Sequence, residues 1–176
     1  MAEKGHVAPN LILGPKSRLA RARFLRSVHQ HCLERDIDPA ILVMEDGEYT
    51  VEGGRLAMQR LLKRPHVGHV AVFAANDMMA IGAMMAVREA GLSCPEDVSI
   101  LGFDGIPAGA FTTPGLTTIA KPGRDLGIRA VEGLFDEIEG RPEHGRIYLP
   151  CRLVERASLA DLSVGTPQRK AGAGRI

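Results

Sequence analysis

The sequence predicts an α/β fold built on a doubly wound, mainly parallel sheet. Short apolar runs alternate with segments of helical periodicity, the order that builds a parallel sheet through right-handed crossovers. The runs are continuously apolar, as strands buried on both faces are. Two of them, Val70–Ala74 and Val98–Phe103, end abruptly in small or polar residues, Ala75-Asn76-Asp77 and Asp104-Gly105. Polar groups are thereby delivered to one sheet edge, and in open α/β sheets the carboxyl edge is where small molecules bind.

In chain order, a first strand is read at Leu11–Leu13 and a helix over 17–35. The basic residues Lys16, Arg18, Arg21, Arg23 and Arg26 read most simply as its solvated face. A strand at Ile41–Met44 leads to a helix over 51–63, and a third at Val70–Ala74 to a helix over 77–90. Asp77 is the cap expected there, and Gly91 lies just past the end. Pro95-Glu96-Asp97 makes the turn into the strand at Val98–Phe103. A weaker strand at Thr117–Ala120 precedes a helix over 124–139, closed by Gly140 and Pro142. The polar, glycine-rich end, 161–176, reads as a flexible tail.

Composition excludes several classes of function. The chain has 176 residues, 45% of them hydrophobic, which suits one main domain with an appendage. Basic and acidic residues balance at 22 against 21, so no global field draws the chain to nucleic acid or an anionic membrane. Five Phe, two Tyr and no Trp leave little surface for stacking single-stranded bases. Cys32, Cys94 and Cys151 lack the paired spacings of a zinc or redox motif and read as thiols in a reducing cytosol. No run approaches the roughly 18 apolar residues of a membrane span, and the first ten residues lack a signal peptide's apolar core. A soluble cytoplasmic protein is expected.

No GxSxG, GxxxxGK[ST] or HExxH motif occurs, and His29, His31 and Cys32 point to different sides of a helix. An acid/base pair of Asp104 and Glu45 has no spacing to support it. The chain reads as a binding module, not an enzyme, with no cofactor and no metal. A sugar site needs planar carboxylates and amides for paired hydroxyls, and a ring for the apolar sugar face. Asp104, Asn76 and Tyr49 supply these, although Asp-Gly is also an ordinary turn and an asparagine before a helix also caps it. Met78, Met79, Ile81, Met84 and Met85 make the helix over 77–90 apolar on more than one face. One face covers the sheet and the other suits a partner, since methionine adapts to interfaces.

The run FAANDMMAIGAMMAVREAGLSCPEDVSILGFD, followed by TPGLTTIAKP, DLGIRAVEGL and LPCRLVERASL, resembles the effector-binding core of the LacI/GalR family of bacterial transcription regulators. The likeness begins at Gly5-His6 and Ile12-Leu13-Gly14-Pro15 and continues to about Leu159. It implies a periplasmic-binding-protein-like C-terminal subdomain over 5–116 and 147–160, with 117–140 as a strand and helix crossing to the N-terminal subdomain. Most of that second subdomain, and the helix-turn-helix headpiece, would lie outside this sequence. The expected function is ligand sensing and homodimer formation, the dimer using the methionine-rich helix. Operator DNA would be reached only through the headpiece. A periplasmic-type sugar-binding protein serving transport is the alternative, which the lack of a signal peptide disfavours.

The resemblance also implies an arginine reaching into the cleft from the first helix. Counting back from Ile37, its position falls on Phe24, with Arg23 beside it as the candidate. Lys121 stands where the family frequently has glutamine, implying a ligand with a carboxylate or phosphate. Without its usual sheet, 117–140 is expected to expose Ile119, Leu126, Val131 and Leu134.

Overall fold

A computed structural model of the chain describes residues 1, 4–6, 9–66, 68–141 and 145–163. Six strands form one sheet in the order β2-β1-β3-β4-β5-β6. They are β1 (Asn10–Leu13), β2 (Met44–Asp46), β3 (Val70–Ala74), β4 (Val98–Asp104), β5 (Thr117–Ala120) and β6 (Arg152–Val154). Every pairing is parallel except β5 with β6, where Ala120 faces Arg152. The helices are α1 (Leu19–Leu33), α2 (Val51–Leu62), α3 (Asp77–Glu89) and α4 (Gly123–Ile138).

The sheet is covered on both faces, which is why its central strands read as unbroken apolar runs. Along β1, β3 and β4 alternate residues point to opposite faces. Ile12, Val72, Ala74 and Ile100 meet α2 and α3 through Met58, Met79 and Ala83. Leu11, Leu13, Phe73 and Leu101 meet α1 through Phe24, Leu25, Val28 and Cys32. α2 and α3 cross at glycine: a Cβ on Gly82 would sit 1.9 Å from Val51 O, and one on Gly54 2.2 Å from Met79 O.

The structure departs from the expected elements in places. The strand placed at Ile41–Met44 runs Met44–Asp46 instead, because Pro39–Ile41 forms a 3-10 turn that Asp38 caps through the Ala40 N–H at 2.9 Å. Thr117–Ala120 is not left without a sheet, since β5 lies between β4 and β6, with Ile119 packed against the α1-side core. β6 is three residues of mixed polarity, too short for a periodic signal, and passed unread. Of the expected tail, 161–163 are among the described residues, Leu162 N–H donating to Lys4 O at 2.9 Å, and 164–176 lie outside them.

α4 differs from the other helices. None of its residues is buried, and Leu126, Val131 and Leu134 are exposed as expected, together with Phe135 and Ile138. No helix is long and apolar enough to cross a membrane among the described residues.

Candidate functional site

The carboxyl ends of β1, β3 and β4 open into a cavity of about 240 Å³ lined by Gly14, Arg21, Phe24, Tyr49, Phe73 and Phe103, among others. A larger hollow of about 500 Å³ runs along exposed α4, but no strand end reaches it, so it offers no rigidly placed polar groups.

Each wall of the smaller cavity has a local cause. After β2 the chain turns through Glu48 and Tyr49, both left-handed at φ +54° and +59°, which directs the Tyr49 ring across the end of β1. The ring takes the space a side chain at residue 14 would need, since a Cβ there would lie 1.9 Å from Tyr49 Cζ. Thr50 then starts α2 by accepting from Gly53 N–H at 2.9 Å. Phe24 stacks on Phe73 with centroids 5.2 Å apart and planes 17° from parallel. Arg21 donates from Nη1 to Gly14 O at 2.6 Å and to Asp46 Oδ1, which fixes its guanidinium at the cavity wall.

At the end of β4, Asp104 Oδ1 and Lys121 Nζ form an ion pair at 2.6 Å, and the same ammonium lies 5.7 Å from the Phe103 ring centroid. Asp104 is held at φ +124°, a conformation that non-glycine residues rarely adopt. Tyr49, Asp104 and Lys121 are therefore disposed about one sheet edge.

The cap expected at Asp77 is supplied by Asn76 instead. Asn76 caps α3, its Oδ1 accepting from Met79 N–H at 2.8 Å, while its Nδ2 donates to Tyr49 O at 3.1 Å. Asp77 is buried and accepts from the Gly105 and Ile106 N–H groups, each at 2.8 Å, and from the Thr118 hydroxyl at 2.5 Å. An N-cap carboxylate faces its own helix, whereas Asp77, one residue on, projects towards β4 and β5.

Arg23 does not reach the cavity. It is exposed on α1, and the arginine that does line the wall is Arg21, which sequence reasoning left on the solvated face. The missed signal is helical spacing: Arg21 precedes Phe24 by three residues and Val28 by seven and so shares their inward face. Arg23 is about 200° around the helix from Arg21. Phe73 and Phe103 also went unread as wall residues, being counted as strand core.

Glu45 belongs to a different structure. Burial alone would push its carboxyl up, but hydrogen bonds from Arg60 at 2.6 Å and Arg64 at 2.7 Å hold it below its ordinary value. It braces β2 against α2 and has no part in an acid/base pair with Asp104. Of the methionines, Met79 is fully buried and Met84 is 9% exposed, so both are core and not interface. Met78 at 42% and Met85 at 37%, with half-buried Ile81 between them, form the outward stripe. Among the described residues no group of three His, Cys, Asp or Glu side chains could hold a metal ion.

Parallel sheet, double helical cover and carboxyl-edge cleft define a periplasmic-binding-protein-like domain, and the family model of that description matches residues 1–159. The chain is 37% identical over 165 residues to the HTH-type transcriptional repressor PurR of Edwardsiella ictaluri, covering 92% of this chain and 47% of that protein. A LacI family transcriptional regulator from Enterococcus faecium, solved with bound ribose, superposes with TM-score 0.82 at 30% identity, covering 92% of this chain and 59% of that one. A dimeric Lac repressor superposes equally well, TM-score 0.82 at 29% identity, over 91% of this chain and 58% of that one. The chain belongs to the periplasmic binding protein-like family, and the relatives it resembles within that family are transcription regulators, the Enterococcus faecium one of the LacI family. It spans about half the length of the curated relatives it matches.

Proposed function

We propose that this chain is the effector-sensing core of a LacI/GalR-type transcription regulator. It takes a sugar or related polyhydroxyl molecule in the carboxyl-edge cleft and pairs with a second copy along the Met78–Ile81–Met85 stripe. The observation that carries the reading is the Asp104–Lys121 pair, 2.6 Å apart, with its ammonium 5.7 Å from the ring centroid of Phe103, which lines the cavity together with Tyr49. A sugar hydroxyl donates to a carboxylate while accepting from an ammonium, and its apolar face rests on an aromatic ring. Because Asp104 already matches the charge of Lys121, the pair suits hydroxyls better than the carboxylate or phosphate first inferred from the lysine alone. The ribose bound to the Enterococcus faecium relative supports this ligand class.

In the whole regulator, ligand would favour one relative orientation of two subdomains and so alter how a dimer presents its DNA-reading headpieces. Operator contact belongs to that headpiece. The relatives are named as transcription regulators, which supports neither an enzymatic role nor the transport alternative.

The test is calorimetric titration of the purified chain with D-ribose and a panel of pentoses, hexoses and their phosphates. Saturable binding that Asp104→Ala abolishes is expected. Indifference to the whole panel, binding unaffected by Asp104→Ala, or turnover of a bound sugar would each overturn the proposal.

A further inference from the structure

The cap of α3 and its first residue each hold a different wall of the cleft. Asn76 takes Tyr49 O, and Asp77 takes the loop that follows Asp104. The second contact has the chemistry of a fixed anchor. Asp77 is 0% exposed, its Oδ2 receives two consecutive backbone N–H groups, and its Oδ1 receives the Thr118 hydroxyl. A carboxylate that accepts several hydrogen bonds in a dry site is held far more firmly than a surface acid. Space around it is closed as well: a Cβ on Gly102 would lie 2.3 Å from Asp77 Oδ1, so β4 carries glycine where it passes the carboxylate.

The loop so gripped is the strained one. Asp104 at φ +124° and Gly105 at φ +79° are successive left-handed residues, and the first has no glycine to ease it. A conformation of this kind persists only where the surroundings over-determine it. Here the N–H groups of the two residues after Asp104 are taken by Asp77, and the Asp104 carbonyl accepts from Lys121 N–H at 3.2 Å.

We infer that Asp77 is a positioning residue of the cleft: it holds Asp104 in the backbone conformation that turns its carboxylate towards Lys121 and the ligand. The inference rests on the effector reading of the cleft, and it adds that the site's geometry is set from α3. That helix also bears the exposed stripe, so a shift of α3 at an interface is transmitted to Asp104 through one side chain.

Amide hydrogen exchange of the whole chain, followed by NMR, tests this without any effector. In Asp77→Asn the amide oxygen can still accept from the loop but the charge is gone. Exchange at Gly105 and Ile106 is expected to quicken about tenfold or more, while Val72 and Ile100 in the neighbouring strands keep their rates. Thr118→Val, which leaves the two N–H bonds in place, is expected to move these amides less than Asp77→Asn does. Unchanged exchange at Gly105 and Ile106 in Asp77→Asn, or quickening in step with Val72 and Ile100, overturns the inference. So does a larger effect from Thr118→Val. Failure of the sugar titration with the exchange result intact would leave Asp77 as the anchor of the loop and remove only the ligand assigned to it.

Discussion

Gly14 shows how narrowly a single residue can be constrained at this site. The Tyr49 ring lies where its side chain would be, so Gly14→Ala must displace the ring or the end of β1. An overpacking cost of about 1–3 kcal/mol is expected, read as a lower Tm, together with loss of any ligand that stacks on Tyr49. A Gly14→Ala chain that melts and binds like the parent would place the tyrosine elsewhere in solution. Asp104 was legible because it ends a recognisable strand, and Tyr49 because it is an aromatic in the loop before a helix. Arg21 was not, since five basic residues within 11 positions mask the one that faces inwards. That Asn76 and not Asp77 caps α3 was illegible for a different reason. Either side chain can cap a helix, and only the presence of β4 and β5 beside α3, set by pairings tens of residues away, decides which one does.

The helices divide the apolar surface into parts that sequence periodicity alone cannot separate. α3 carries apolar residues all round, and whether a methionine is core or exterior depends on where α2 crosses, which glycines at 54 and 82 fix. Met79→Ala is expected to cost about 2–5 kcal/mol as a core truncation, a large fall in Tm. The double change Met78→Lys and Met85→Lys is expected to leave Tm within a few degrees while shifting sedimentation towards monomer. If the lysine pair unfolds the chain, or leaves its self-association intact, the stripe is not the surface used. Most strands were legible because burial on both faces writes a continuous apolar run. β2 was displaced because Asp38 and Pro39 convert the first part of its run into a turn, and β6 draws its identity from β5 rather than from its own three residues.

At the scale of the whole molecule, the two ends of the described chain meet beside the sheet. His6 is buried, its Nε2 3.0 Å from Ala160 O and its ring 5.3 Å from that of His69, while Lys4 pairs with Glu155 at 2.7 Å. Removal from water, followed by the neighbouring charges, pulls the His6 pKa below its ordinary 6.5 despite the hydrogen bond to Ala160. Because the folded chain then binds this proton less readily than the unfolded chain, stability is complete above about pH 6.5 and falls as pH drops through the lower, folded value. Denaturant midpoints measured from pH 7.5 to pH 5 are expected to decline, and His6→Gln to flatten that decline. An equal slope in both proteins would assign the pH dependence to other groups.

The register of the last two strands has a consequence for how the molecule can be edited. Residue 120 faces residue 152 across an antiparallel pair, so the chain departs and comes back at one address. Everything between is a detour that the sheet does not need. Replacing 122–150 with Asn-Gly would join the strands through a two-residue hairpin and retain Asp104, Lys121 and the aromatic pocket. It would also delete the exposed apolar side chains of α4. Such a miniature is expected to keep the pairing proposed for the Met78–Ile81–Met85 stripe, to form no larger species through α4, and to melt in a single transition. The detour would then be a removable cassette, and the sensor a unit small enough to graft.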